Sequence, residues 1–540
     1  TVNTLPVPGL NGPVTVCVNS SNVYTSDPGM TNYSWIVSAG GTITAGGGPN
    51  DASATVLWTT TGIQTVSVNY FAGSGCTAPS PTVVNVNVKP RPMITNAANS
   101  SICSSGSINI PIAADLPGTT FAWTATPSSP NVTGYHNGAG PVITDVLTNL
   151  GSSIETVTYT VTPTLNGCDG NTADFIITVF PVANVSFNPN GQTFCSGSTS
   201  NILLASTVAG TTFSWTATPS SGNVTGFGPG SGNTISQTLT DLGFSVETVT
   251  YHVTPVANGC TGTPNDVTVT VNPRPVVTFT TCFDPVTTTV AQPIILKGGV
   301  PLNGTYSGAG VNVGSFFPGL AGVGNHSITY SYSNMYGCAN NATVNINVVN
   351  PPPFNCNGML TDVRDNQTYP TIQIGGQCWI SANLNYGNTI PSTSMQRDNC
   401  IVEKYCFNDN PANCGISGGF YQWDELMQFS GTAGAQGLCP PGWHVPMEAE
   451  WNSLFAQYIS NGFAGSPLKL SGFSGFNVLL GGTRFNNVTW SFTGFATMLW
   501  SSTSHGPYKA WAHGLNTFNP SVSFYPSYRD NAFPVRCLKD

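Results

Sequence analysis

The chain has 540 residues, room for several domains at roughly 100–200 residues each. Only 6% of the residues are charged, against about 25% in an ordinary globular protein, and the net charge is −9. Lys and Arg total 13, and only Lys89, Arg91, Arg274 and Lys297 precede residue 350, so the clustered basic footprint that a nucleic acid requires is missing.

A surface covered by Thr, Ser, Asn and Gly repels its neighbours little, so subunits of such a chain can pack closely at small electrostatic cost. Fifteen cysteines in regular pairs point to disulfides and an oxidising compartment, and no C-x-x-C pair argues for metal. No apolar run approaches the roughly 20 residues of a membrane span, which predicts no membrane insertion. No leader peptide is visible, as expected of a mature chain trimmed after export.

Residues 1–12 (TVNTLPVPGLNG) are apolar but contain Pro6 and Pro8. They admit two readings: a first strand or frayed terminus, or an arm that adds a strand to a neighbouring subunit's sheet. Residues 13–92 read as a first β domain, with Cys17, Trp35 and Cys76, period-two strands such as TVSVNY (65–70) and VVNVNV (83–88), and a closing KPRP linker.

Residues 93–181 and 182–273 are a tandem repeat. Cys103, Trp123 and Cys168 return as Cys195, Trp215 and Cys260 at an offset of 92 residues, and TTFAWTATPSSPNVTG returns as TTFSWTATPSSGNVTG. Short strands between turn signals indicate β-sandwiches. The Cys–Trp–Cys order suggests a tryptophan packed on an inter-sheet disulfide, with Trp35, Trp123 and Trp215 as core residues rather than ligand platforms. Residues 274–350 repeat the plan with Cys282 and Cys338 but no tryptophan.

In GGVPLNGTYSGAGV (298–311) and GVGNHSITYSYSNMYGCANNATVNINV (322–348) this unit resembles the immunoglobulin-like or PKD-like repeats of large secreted Bacteroidota proteins, and the three preceding units look like its relatives. The resemblance implies an exported, multi-domain surface protein.

After the stiff NPPP spacer (350–353) the composition shifts: seven of eleven Trp and nine of thirteen Lys plus Arg lie in the remainder, 351–540. VPMEAEWNSLFAQYISNG (445–462) predicts an amphipathic helix with Met447, Trp451, Leu454, Phe455 and Tyr458 on one face, opened by Pro446 and closed by Asn461-Gly462. A shorter helix is expected over 421–429.

The segments TDVRDNQTYPTIQIGGQCWISANLN (361–385), EKYCFNDNPANCGISGGFYQWDELMQ (403–428), CPPGWHVPMEAEWNSL (439–454), LLGGTRF (479–485), LWSSTS (499–504) and FPVRCLKD (533–540) together resemble the Fibrobacter succinogenes major paralogous domain. That resemblance implies a C-type-lectin-like or sulfatase-modifying-factor-like mixed α/β fold, with Cys406 paired to Cys414 and Cys439 to Cys537. Met447 stands where the family has Ser or Thr, so the usual side-chain N-cap is missing. Cys356, Cys378 and Cys400 remain, and three thiols cannot all pair within the domain, which predicts a free buried one, with an intermolecular bridge or a nucleophile as the alternatives.

No catalytic constellation is expected. His444, His505 and His513 are the nearby bases, and spacing ties none of them to a cysteine. Asp362 with Asp365, and Asp409 with Asp424 and Glu425, do not form an EF-hand-like calcium loop, and Glu448 and Glu450 suit a helix N-terminus. Hence no metal and no cofactor is predicted. Trp490, Tyr508, Tyr525 and Tyr528, in Gly/Ser/Asn-rich surroundings, are candidate glycan contacts, with core or turn packing as the alternative. The N-x-S/T matches, for example at Asn131, Asn223 and Asn303, follow from a composition rich in these residues.

The expected fold is mainly β: four tandem immunoglobulin/PKD-like sandwiches and a terminal C-type-lectin-like domain. The expected disulfide cysteines are Cys17, Cys76, Cys103, Cys168, Cys195, Cys260, Cys282, Cys338, Cys406, Cys414, Cys439 and Cys537. The expected role is a non-catalytic, secreted or cell-surface protein that self-associates into a fibre or forms an adhesin stalk. Its other partners would be a glycan or a host or neighbour-cell surface. The alternative is a secreted carbohydrate-binding protein. An enzyme of the sulfatase-modifying type rests on fold analogy alone.

Overall fold

In the computed structural model, which describes residues 4–458, 464–485 and 489–540, the chain divides into two compact units, Thr1–Val271 and Asn272–Asp540. Both are built mainly of strands.

The first unit begins with two facing four-stranded sheets. One runs in the order Leu10–Asn11, Ser20–Ser26, Ser53–Trp58, Gly41–Gly46; the other in the order Thr15–Cys17, Thr82–Lys89, Gly62–Phe71, Thr31–Val37. Alternating apolar residues from both sheets, including Tyr24, Trp35, Trp58, Val66, Val68 and Val86, fill the space between them. Residues 8–11 belong to this sandwich. Leu10 and Asn11 pair with Ser26 and Thr25, the Gly9 amide donates to the Asp27 carboxylate, and the Ser26 and Thr82 hydroxyls donate to the carbonyls of Gly9 and Pro8. Leu5 and Val7 remain exposed.

The 92-residue repeat folds twice into the same arrangement. In the first copy the main sheet runs Gly138–Ala139, Thr120–Pro127, Glu155–Leu165, Ala173–Phe180, Ser100–Cys103. In the second it runs Gly230–Ser231, Thr212–Pro219, Glu247–Ala257, Asn265–Asn272, Gln192–Cys195. Each copy has its own core: Val157, Tyr159, Val161 and Ile177 in one, Val249, Tyr251, Val253 and Val269 in the other. Trp35 and Trp215 are buried, whereas Trp123 is half-buried at the edge of its cluster.

One feature of register decides the disulfides. The short cysteine strand runs parallel to the last strand of its own sandwich: Thr15–Cys17 opposite Asn87–Lys89, and Ser100–Cys103 opposite Ile177–Phe180. Cys103 therefore sits where the last strand ends. Cys168 sits in the hairpin where that strand begins. About seven residues of strand, at roughly 3.3 Å each, separate the two, whereas a disulfide needs Cα atoms less than about 7 Å apart. The expected bond within the sandwich is geometrically closed.

The second unit begins with a smaller sandwich. Its main sheet runs Val286–Thr288, Ala339–Val349, Gly324–Ser333, Thr305–Ser307, and Leu296, Phe316, Ile328, Ile346 and Val348 form its core. The remainder is a mixed domain. A five-stranded sheet (Met359–Thr361, Thr368–Ile374, Gln377–Ile380, Leu538–Lys539, Trp443–His444) is accompanied by a four-stranded sheet and by a three-stranded one, Ala496–Ser504, Lys509–Asn516, Ser523–Tyr528. Helix Glu448–Ala456 buries Trp451, Leu454 and Phe455 as its periodicity predicts. Its predicted stop at Asn461-Gly462 lies outside the described residues. Met447 gives the helix no hydroxyl cap, but the Glu450 carboxylate accepts the Met447 amide at 2.7 Å, the reciprocal half of a capping box. The expected helix over 421–429 contracts to Trp423–Leu426.

The Arg536 side chain lies at the centre of this domain. Its guanidinium donates to the carbonyls of Ile380, Phe476 and Asn477 and to the Asn383 amide oxygen. No carboxylate faces it, and burial pushes its pKa down to about 9.

Candidate functional site

Fourteen of the fifteen cysteines are disulfide-bonded, and Cys76 is free. Within the first unit the bonds join neighbouring sandwiches: Cys17 to Cys168, and Cys103 to Cys260. This corrects the expected pairs within one sandwich, and with them the expected disulfide at Cys76. In the second unit Cys282 bonds Cys400, joining the small sandwich to the terminal domain, and Cys356 bonds Cys378. Hence no free thiol is left in the terminal domain, contrary to expectation. Cys406–Cys414 and Cys439–Cys537 are the pairs that the family resemblance implied.

The junctions are clamped by more than sulfur. At the first, Lys89 and Arg91 of the KPRP linker donate to the carbonyls of Asn166 and Asp169, which flank Cys168, while Arg91 also donates to the Val18 carbonyl at 2.9 Å. The Pro92 carbonyl comes so close to Gly170 that an added Cβ would lie 1.7 Å from its oxygen. At the second junction a Cβ on Gly262 would lie 1.9 Å from the Ala183 oxygen. Glycine is required at both places because another backbone occupies the side-chain volume. In the second unit Arg274 of the NPRP linker donates to the Ala339 carbonyl, directly after Cys338, and Asn334 donates to the Pro273 carbonyl. Sequence reasoning found both linkers as spacers and missed the arginine clamp; their shared Pro-Arg-Pro was the available signal.

A cleft of about 630 Å³ lies between the small sandwich and the terminal domain, with the Cys282–Cys400 bond in its wall. Lys297 reaches Asp398 at 3.1 Å and stands 5.6 Å over the Phe429 ring. Gln292 accepts the Gln436 amide and donates to the Gly434 carbonyl. Asp284 accepts the Tyr386 hydroxyl and pairs with Arg364 at 3.5 Å. Burial opposes the charge on Arg364, but Asp362 and Asp284 beside it hold its pKa above the ordinary arginine value. Glu425 is 4% exposed and accepts the Glu403 amide, and burial pushes its pKa up to about 8. No histidine lines the cleft, and both of its cysteines are oxidised. It offers hydrogen bonds and charge to a ligand.

The remaining candidates are dispersed. His444 is held between Asp540 at 2.5 Å and Glu450 at 3.0 Å; burial alone would lower its pKa, yet these two carboxylates raise it to about 9. His513 is buried beside Glu448 against Trp451 and Phe455, and His505 stands edge-on to Trp511. Asp362 is taken up by Arg364, Asp409 by Ser392, and Asp424 by Arg529. Among the candidate glycan contacts, Trp490 is half-buried and packs edge-on to Phe407 and Phe420. Tyr508, Tyr525 and Tyr528 are 76%, 53% and 51% exposed, respectively. Tyr525 and Tyr528 are three residues apart on one strand, an odd offset that turns them to opposite faces.

Residues 372–539 match the Fibrobacter succinogenes major domain. Residues 100–183 and 192–275 each match a PKD-like domain. The chain thus carries a PKD-like repeat region and a C-terminal Fibrobacter succinogenes major domain. No curated protein sequence matches it. Similar solved structures include the immunoglobulin domains 1–5 of Sidekick-1 (13% identity, 64% of this chain and 81% of that one, TM-score 0.22). The insect immune protein hemolin is also similar (13% identity, 63% and 99%, TM-score 0.21), as are protocadherin gamma B2 cadherin domains 3–6 (10% identity, 50% and 76%, TM-score 0.22). Among the described residues no helix is long and apolar enough to cross a membrane.

Proposed function

We propose that this chain is a non-catalytic extracellular structural and adhesive protein, the subunit of a cell-surface fibre or adhesin stalk. In this reading it has an N-terminal segment (1–12) whose residues 8–11 join the first sandwich rather than form a free arm, four sandwich modules (13–92, 93–181, 182–273, 274–350) and a lectin-like terminal domain (351–540), in the manner of the exported Bacteroidota proteins it resembles. The observation that carries the reading is the connectivity of Cys17–Cys168, Cys103–Cys260 and Cys282–Cys400. Each bond ties one module to another, so it constrains how modules move against each other. That is the requirement of a load-bearing element rather than of a turnover site. Disulfides of this number persist in an oxidising, extracytoplasmic compartment.

Electron microscopy of native protein tests the fibre: ordered filaments are expected, and dispersed single chains at high concentration would reject it. The second reading, a carbohydrate-binding protein, is favoured by the exposure of Tyr508, Tyr525 and Tyr528. Glycan-array binding by the full chain, lost in Tyr508→Ala with Tyr528→Ala, is its expected signature. Unselective or absent binding removes it.

A further inference from the structure

Cys76 lies in a hairpin that the chain builds again around Cys338. Both hairpins join the penultimate strand of a sandwich to its last strand, Gly62–Phe71 to Thr82–Lys89 and Gly324–Ser333 to Ala339–Val349. In one, the Ala72 amide donates to the Cys76 carbonyl at 2.9 Å and the Gly75 amide to the Ala72 carbonyl at 2.7 Å. In the other, the Asn334 amide donates to the Cys338 carbonyl and the Gly337 amide to the Asn334 carbonyl, both at 3.0 Å. Gly75 and Gly337 hold φ of 77° and 76°, the left-handed conformation the turn needs. Cys338 is disulfide-bonded. Cys168 and Cys260 occupy the corresponding hairpins of the two repeats, and each is bonded to the cysteine of the module before it. Cys168, Cys260 and Cys338 are at most 3% exposed, whereas Cys76 is half-exposed and thiol-bearing.

We propose that Cys76 is the receiving half of a further inter-module disulfide, whose other half is a cysteine on a preceding β-sandwich module. The repeats describe that partner. Its cysteine ends a short strand parallel to the module's last strand, as Cys17 and Cys103 do. Where the exit linker carries an arginine, it reaches the carbonyl after the receiving cysteine, as Arg91 reaches Asp169 and Arg274 reaches Ala339; the linker over 181–185 has none. Thr77, the residue in that position, is exposed. A second copy of the 540 residues cannot supply the partner, because its other cysteines are already bonded. The module is carried either by residues N-terminal to Thr1 or by a separate polypeptide.

Bond formation removes one proton from each thiol. The two electrons pass to a disulfide oxidant of the export compartment, a dithiol–disulfide oxidoreductase, which leaves as the dithiol. The inference extends the structural reading above and does not depend on what the terminal domain binds.

Native protein, alkylated without reductant and digested, provides the test. The Cys76 peptide is expected linked to a cysteine peptide of a sandwich module and released by dithiothreitol. A partner on a separate polypeptide leaves a reduced band at the mass of this chain; one on the same polypeptide leaves a reduced mass above 56.3 kDa. Cys76→Ser, in a surface hairpin that does not fill a core, is expected to lose the linked species completely. The 540 residues produced alone in an oxidising compartment should show one alkylatable thiol per chain. Recovery of native Cys76 alkylated, joined to another Cys76, or joined only to a small thiol overturns the inference. None of those outcomes touches the load-bearing reading, which microscopy tests separately.

Discussion

Cys103 is bonded to Cys260, 157 residues away in sequence and on the next module, and not to Cys168 on its own. Each module keeps a separate hydrophobic core, so the bond is not what holds either module folded. It removes hinge freedom between them. Cys103→Ser is therefore expected to leave the β-sheet circular dichroism of the folded chain unchanged, while losing about 2–5 kcal/mol of cross-link stabilisation against full unfolding. Limited proteolysis should show new cleavage in the linker near residues 181–185. A loss of sheet signal at room temperature would mean that the modules do not fold independently.

Gly170→Ala tests the junction without touching sulfur. The new methyl group would meet the Pro92 carbonyl and push the linker off the Cys168 hairpin, releasing the Arg91 clamp. Small-to-large changes against a fixed backbone cost about 1–3 kcal/mol. Slower closure of the Cys17–Cys168 disulfide on reoxidation, followed by peptide mapping, is the expected readout. An unchanged rate would show that the linker yields freely.

Glu425 is expected to make stability fall as pH rises. Its folded pKa, about 8, lies above the ordinary 4.5, so the folded state binds the proton more tightly and loses that advantage between pH 4.5 and 8. Glu425→Gln keeps an oxygen for the Glu403 amide and removes the buried charge. At about 1.4 kcal/mol per pH unit of titration, the variant should gain about 2–4 kcal/mol over the parent at pH 8 and little below pH 4.5. Denaturant titration followed by tryptophan fluorescence checks this; equal midpoints at pH 8 would place the carboxylate in water.

His444 has the opposite signature in its variant. Its folded pKa of about 9 lies above the ordinary 6.5, so its contribution is complete below pH 6.5 and fades as pH rises through 9. His444→Gln should cost about 1–3 kcal/mol at pH 6 and much less at pH 9.5. A pH-independent loss would assign His444 to packing alone.

Much of this architecture was legible in the residues. Period-two strands and the repeat of Cys, Trp and Cys pointed to sandwiches, and Trp451, Leu454 and Phe455 marked the buried face of helix Glu448–Ala456. The disulfides were not legible, because tandem repeats make the two connectivities look alike: Cys168 has the same sequence context whether Cys103 or Cys17 is its partner. Only the parallel register of Ser100–Cys103, a long-range property, decides between them. The packing of Trp490 was hidden for a similar reason. Its Gly/Asn-rich neighbours suggest surface, while Phe407 and Phe420, distant in sequence, pack edge-on against the half-buried ring. The cleft was hidden because Lys297 and Asp398 come from different domains.

The placement of Arg536 bears on how the last domain is held together. Its four acceptors lie on segments around 380, 383 and 476–477, and the neighbouring Cys537 and Leu538 supply a disulfide and the strand between Gln377–Ile380 and Trp443–His444. The centre of the last domain is thus tied together by segments far apart in sequence, and removing this one guanidinium would leave four acceptors without their donor at once.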